Sequence, residues 1–272
     1  MTHAQLPTRL LVTAFIYLLV AASGARAQEA NTSFLANLHQ FRVSNYLSLE
    51  AYYRFSSVGD TETLNEIVAN INEANEAMNS IADSTAGILS TEQVEQLNQE
   101  FDKFKKLMRT NINDVRNTGY PDLRMVSEMA DQAVAMNLAA TELYSIAREN
   151  TGTLADDRVE AARSAAVTIA QMMAKYAART HSQVAQTFQG SSSEIPLDEQ
   201  ARVFDKLLVR LQQGETTGDL KTSISNLSSK WQFIRRSYIN FNDNNVAFVI
   251  DRYSKGILEG LETTIKLLTD KA

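Results

Sequence analysis

The chain has 272 residues, with 26 lysines and arginines, 32 aspartates and glutamates, three histidines and no cysteine. The lack of cysteine excludes disulfides, thiolate metal sites, a cysteine nucleophile and c-type haem attachment. The formal net charge of −6 argues against nucleic acids and anionic membranes as partners, because both bind basic surfaces. Proteins and small molecules are therefore the expected partners.

The first 27 residues have the features of a secretory signal peptide. Arg9 precedes an apolar run from Leu10 to Ala22, and residues 25–27 read Ala-Arg-Ala, an A-x-A cleavage site. The run is shorter than the roughly 20 residues that a transmembrane helix needs. We expect cleavage after Ala27, a periplasmic location and no membrane span in the remaining chain. The alternative is that the leader is kept as an N-terminal anchor.

Apolar residues after the leader recur at helical spacing. Ile67, Ile71, Ala74, Met78 and Ile81 are separated alternately by four and three residues, and similar stripes occupy residues 94–108 and 220–241. This spacing predicts amphipathic helices. The predicted helices span residues 33–57, 61–85, 91–117, 121–150, 153–189, 197–213, 218–242 and 246–270. Their length and number predict an all-α fold, an elongated up-and-down helical bundle.

Local signals support several of these boundaries. Ser90 and Gln93 have the spacing of a capping box at the start of the third helix. Pro121 stands where the first turn of the fourth helix tolerates a proline. Glycines, which often end helices, mark predicted helix ends at Gly152, Gly190 and Gly214.

Two segments suggest an internal repeat. Residues 102–113, DKFKKLMRTNIN, align without a gap with residues 229–240, SKWQFIRRSYIN. The alignment pairs Phe104 with Trp231 and Arg109 with Arg236. We therefore predict two tandem, related helical modules, residues 28–150 and 151–272. A single long bundle is the alternative, because amphipathic helices resemble one another easily.

The layout of these segments resembles the PilJ-type module, the helical sensor domain of type IV pili chemotaxis transducers and of nitrate/nitrite sensor kinases. The resemblance rests on AQMMAKY at 170–176, on FRVSNYLSLEAYYRFSSVGD at 41–60 and on Trp231 in a later helix. It implies a helical sensory module that binds a ligand or a protein.

The resemblance does not extend to the family's anion-binding residues. In the nitrate-sensing relatives, arginines of the opening helix bind the anion, but the matching stretch here has Val167 and Met172. Arg42 lies near the equivalent place in the first module. Neither anion sensing nor signalling is therefore carried over from the resemblance.

No recognisable catalytic or metal motif occurs in the sequence. A di-iron bundle needs Glu-x-x-His pairs, whereas Ala36 and Ala178 stand three residues before His39 and His181. Nucleophile elbows, phosphate loops and zinc patterns are also missing. We therefore predict a non-enzymatic protein without a cofactor or a bound metal.

The stretch 228–256 holds the most site-like residues of the chain. The candidates for binding a ligand or partner are Trp231, Arg235, Arg236, Tyr238, Arg252 and Tyr253, with Arg42 from the first module. The alternative is that the aromatic residues form a core stripe and the arginines extend along a solvated flank.

The expected function is that of a secreted sensory or accessory component of the cell envelope, linked to type IV pili or chemotaxis. Its partner would be an envelope protein or a small anionic or organic ligand. A structural adaptor of an envelope assembly, without a small-molecule ligand, is the alternative. The alanine-rich faces of 121–150 and 153–189 would fit either a bundle core or the seam of a homodimer.

Overall fold

The computed structural model describes residues 8–84, 87–151, 156–181, 195–214, 216–243 and 245–270, and side chains from residue 30 onward. These residues form eight α-helices and no strand, which confirms the all-α bundle. The helices are α1 (Thr8–Val58), α2 (Thr61–Asp83), α3 (Thr91–Thr118), α4 (Leu123–Thr151), α5 (Asp157–His181), α6 (Leu197–Leu211), α7 (Gly218–Ile239) and α8 (Ala247–Thr269).

The first helix differs most from its predicted bounds. Helix α1 begins at Thr8, not at residue 33, because the prediction had set residues 1–27 aside as a leader. Residues 1–7, and all side chains of the predicted leader, lie outside the described part of the chain. Among the residues that are described, no helix is both long enough and apolar enough to cross a membrane.

Most other helix ends follow the local signals. The capping box of α3 is present, since Gln93 N donates to Ser90 Oγ at 3.2 Å and Ser90 N donates to Gln93 Oε1 at 2.9 Å. Helix α4 begins at Leu123 because Asp122 caps it, accepting from the backbone N of Arg124 at 2.9 Å. Pro121 thus precedes the helix and is not in its first turn.

Glycines were predicted to end helices at three positions. One of them, Gly214, follows the end of α6 and has a positive φ of +83°. Gly152 and Gly190 lie outside the described residues.

The two halves of the chain pack their helices in the same order. In the first half α1 contacts α2 and α4, and α3 contacts α4 and, more slightly, α2. In the second half α5 contacts α6 and α8, and α7 contacts α8 and α6. Duplication would produce this arrangement, and the two-module organisation stays a prediction. One continuous apolar core runs through both halves.

Helices α1 and α5 form the centre of the bundle and pack against each other. Along α5 most of the side chains are buried, and they are mainly alanines. Small side chains let neighbouring backbones approach closely, so α5 is surrounded by α1, α6 and α8. The alanine-rich face of α5 is therefore used within the core. A homodimer through another surface stays a prediction.

Candidate ligand-binding site

Trp231 and Arg235, two of the predicted site residues, share one carboxylate. The buried indole Nε1 of Trp231 donates to Asp205 Oδ1 at 2.8 Å. The guanidinium of Arg235 donates to both oxygens of Asp205, with Nη2 2.7 Å from Oδ2. Burial favours a higher pKa for Asp205, but the hydrogen bonds and charge of Arg235 and Trp231 outweigh it and lower the pKa. Arg235 therefore has a partner within the chain.

The remaining residues of the stretch 228–256 are divided between core and surface. Tyr238 is fully buried, with its hydroxyl 2.8 Å from Ser254 Oγ and its ring stacked on Trp231. Tyr253 packs on Phe233 with ring centroids 4.6 Å apart. Arg236 and Arg252 are exposed. The aromatic rings thus belong to packing contacts, and a role of these residues in ligand binding stays a prediction.

Arg42, the remaining candidate, lies in a separate polar cluster between α1, α4 and α5. We call this group the arginine cluster; it consists of His39, Arg42, Tyr144, Glu160 and Arg163. The guanidinium of Arg42 lies over the Tyr144 ring, 5.2 Å from its centroid. The Tyr144 hydroxyl donates to Glu160 Oε1 at 2.8 Å and accepts from Arg163 Nη1 at 3.0 Å.

The arginine cluster buries more positive than negative charge. Arg42 is 9% exposed and Arg163 is 3% exposed. Arginine stays charged in proteins, although burial lowers the pKa of Arg42. Burial first, and then the charges of Arg163 and Arg42, lower the pKa of His39 to about 3, so this imidazole is neutral at pH 7. Glu160 is the carboxylate of the cluster, and it also lies 3.8 Å from Arg148.

Several polar atoms at the cluster have no hydrogen-bond partner among the described residues. They are Nε of Arg42, Nε of Arg163 and Nδ1 of His39, and one turn along α1 both amide atoms of Asn45. Buried polar groups in native proteins are normally satisfied by protein, water or an ion. Arg163 forms an ion pair with Glu160, Nη1 to Oε1 at 3.4 Å, whereas Arg42 has none among the described residues, and a buried guanidinium without an ion pair is especially costly. The arrangement therefore suits an oxygen-rich anion more than a cation or an apolar ligand.

Sequence reasoning identified Arg42 but missed the rest of this cluster. Two signals were available. His39, Arg42 and Asn45 follow one another every three residues along α1, on a helix whose neighbouring positions Leu38 and Phe41 are buried. Arg163 stands among alanines on the most buried helix. A charged residue at core spacing is a candidate functional residue.

A second charged network joins α1, α2 and α8. Arg54 donates to Glu50 at 2.7 Å and to Glu66, and Lys255 donates to Glu66 at 2.9 Å and lies 3.2 Å from Asp251. Glu50 is 3% exposed. Burial raises its pKa to about 7, with Arg54 acting in the opposite direction. Since Arg54 also binds Glu66, it offsets only part of the cost of burying the negative charge of Glu50.

The described residues contain no group of three or more His, Asp or Glu side chains that could hold a metal ion. Comparisons of the chain with protein-family models, with curated proteins and with solved structures found no match.

Proposed function

We propose that this protein is a non-enzymatic binding module that holds a small anion at the arginine cluster. The observation that carries the proposal is Arg42, a nearly buried guanidinium that makes no ion pair within the described residues. An arginine cannot lose its charge to escape the cost of burial. A bound carboxylate or oxyanion would remove that cost and satisfy Nε.

The position of the arginine cluster would couple anion binding to the packing of the helices around it. His39 and Arg42 lie on α1, Tyr144 lies on α4, and Glu160 and Arg163 lie on α5, so three helices surround two arginines and one carboxylate. An anion bound there would favour the packing of α1 against α5 that brings Arg42 and Arg163 together. Binding would thus change the relative stability of helix packings, which is how a ligand shifts a conformational equilibrium.

The proposed cellular location and role of the protein are supported by features of its sequence. The leader-like features of residues 1–27 support secretion to the periplasm, and the layout of 41–60 and 170–176 supports a PilJ-like sensory module. We propose an accessory or sensory component of the cell envelope, linked to type IV pili or chemotaxis.

Thermal unfolding in the presence of anions tests the proposal. Wild-type protein and Arg42→Met would be unfolded in nitrate, sulfate, phosphate, acetate and glutamate at constant ionic strength. A ligand at about 100 times its dissociation constant stabilises the native state by about 2.7 kcal/mol. For a chain of this size that corresponds to a rise in Tm of roughly 5–10 °C. We expect this rise with at least one anion in the wild type and not in Arg42→Met.

The stability of Arg42→Met in the absence of anion provides a second test. Methionine keeps much of the packing of the arginine stem and removes the unpaired charge, so Arg42→Met without anion should be as stable as the wild type or more stable. Arg236→Gln is the matched control, because Arg236 is exposed and its loss should leave the anion response intact. An unresponsive wild type together with a destabilised Arg42→Met would show that Arg42 is purely structural.

A further inference from the structure

A groove of about 850 Å³ lies between α2 and α3. We call it the α2–α3 groove. Helix α2 packs extensively on α1 and only slightly on α3. The Nζ of Lys105 bridges the two helices by donating to Asn75 Oδ1 at 3.0 Å. The residues that line the groove run from Leu64 to Asn75 on α2 and from Asp102 to Arg116 on α3.

The floor of the α2–α3 groove is aliphatic. It is formed by Leu64, Ile67, Val68, Ile71, Met108 and Ile112. Ile67 and Met108 are buried and anchor the floor in the core, whereas Val68 is 51% exposed. The lining contains no aromatic ring on which a nucleobase would stack. The groove therefore suits aliphatic side chains.

The rim of the groove is positive, although the chain as a whole carries a net charge of −6. Lys106, Arg109 and Arg116 of α3 line it and have no ion-pair partner among the described residues. Asp102, the one acidic residue of the lining, lies 2.8 Å from Lys105.

On the α2 side of the groove the rim is uncharged. It consists of Asn65, Asn72 and Asn75. Two glutamates of the same helix face other helices: Glu66 accepts from Lys255, and Glu73 accepts from Ser44 at 3.1 Å. No acidic residue of α2 is part of the lining of the groove.

We propose that the α2–α3 groove docks an acidic amphipathic helix of a partner protein. The lined part of α2, at 1.5 Å per residue, is about 16 Å long, which matches about three helical turns. Aliphatic side chains at positions i, i+3 or i+4 and i+7 of the partner would occupy the floor. Glutamates or aspartates on its flank would face Lys106, Arg109 and Arg116.

A second copy of this chain is disfavoured as the occupant. In a two-fold dimer the same patch meets itself, so the α2–α3 groove would place its cations against identical cations. Electrostatic complementarity instead selects a partner of opposite charge. This proposal goes beyond the anion site, because the groove lies on α2 and α3, which contribute no residue to the arginine cluster.

Fluorescence anisotropy with two stapled 15-residue peptides tests the proposal; the staple is needed because short peptides are only marginally helical in water. The first peptide presents leucines at helical spacing with glutamates on both flanks, and the second replaces every glutamate with lysine. We expect the wild-type protein to bind the glutamate peptide and not the lysine peptide. The affinity should fall as salt rises, because exposed charges are screened.

Variants of the groove locate the binding. Val68→Glu, and the pair Lys106→Glu with Arg109→Glu, should each weaken binding of the glutamate peptide at least tenfold. Val209→Glu is the matched control, since Val209 is an equally exposed valine on α6, with 56% exposure against 51% for Val68. Arg42→Met should bind the peptide like the wild type, which separates this proposal from the anion site.

Three results would overturn the proposal. They are no binding of the glutamate peptide, equal binding of both peptides, and a Val68→Glu variant that binds like the wild type. Analytical ultracentrifugation adds a further outcome. If the wild type dimerises and Val68→Glu does not, the occupant is a second copy and the partner assignment is wrong.

Discussion

Glu50 provides a test of how burial and ion pairing balance in this bundle. Its carboxylate is 3% exposed and accepts two hydrogen bonds from Arg54. Asp251 and Lys255 on α8 also act on it. Replacing Glu50 with glutamine keeps the shape and removes the charge. We expect Glu50→Gln to stabilise the protein at pH 8 and to have little effect near pH 5.

The magnitude follows from the pKa of Glu50. Burial raises it from the ordinary value of 4.5 to about 7. Between these values the native state binds more protons than the unfolded state, so this group lowers stability as pH rises. The full effect, about 3 kcal/mol, is reached above pH 7 and vanishes below pH 4.5. The variant should therefore gain up to about 3 kcal/mol over the wild type at pH 8.

Urea denaturation of both proteins at pH 5, 6, 7 and 8, followed by circular dichroism, would measure this difference. The slope with denaturant should be unchanged, so that midpoints report stability. Glu76→Gln, at an exposed position of α2, is the control and should show no such pH trend. If Glu50→Gln is instead less stable than the wild type, and more so at pH 8 than at pH 5, the ion pair with Arg54 outweighs the burial and the reasoning is wrong.

Two further predictions concern α6, α7 and α8. Asp205→Asn removes the charge that binds Arg235 and Trp231. We expect the free energy of unfolding to fall by about 1–2 kcal/mol at pH 7, with the partial exposure of the pair keeping the loss small. The fluorescence of the single tryptophan would report the change. Because the pKa of Asp205 is lowered, this loss should shrink as pH falls below about 4. Gly260→Ala should raise stability by about 0.5–1 kcal/mol in urea denaturation, since alanine favours the helix and its Cβ would lie at an ordinary 3.6 Å from Leu227.

Each of these substitutions has a simple control. Asp131→Asn changes an exposed aspartate of α4 and should leave stability and tryptophan fluorescence unchanged. At Gly256 an added Cβ would lie 2.9 Å from Lys230 Nζ, so Gly256→Ala should gain less than Gly260→Ala. An unchanged Asp205→Asn, or a destabilised Gly260→Ala, would contradict the packing of α7 described above.

Local features of the fold could be read from the sequence because their causes are local. The heptad-like spacing of Ile67, Ala74 and Ile81 predicted the buried face of α2, and all three are buried. The capping box of Ser90 and Gln93 was predicted from four consecutive residues. The bounds of α2, α3, α4, α6, α7 and α8 lie within three residues of their predicted values. Hydrophobic periodicity and capping act within a few turns, so they need no knowledge of neighbouring helices.

The candidate site could not be derived in the same way. The stretch 228–256 attracted attention through its tryptophan and paired arginines, but the partner of Arg235 is Asp205, on another helix. Nothing in the local sequence of either residue specifies this pair. The same holds for Arg42, whose neighbours Tyr144 and Glu160 come from α4 and α5.

The sequence by itself determined that this chain is helical, where most of its helices begin and end, and which faces of α2, α3 and α7 are apolar. Tertiary structure alone decided which charged residues are paired and which are left buried without a partner. The physical reason is that backbone hydrogen bonds and helical periodicity are satisfied within one segment, whereas the energy of a charge depends on the residues that surround it. Arg235 and Arg42 are both arginines on helices with apolar stripes. Only the packing of α6 against α7, and of α1 against α5, distinguishes a paired cation from an unpaired one.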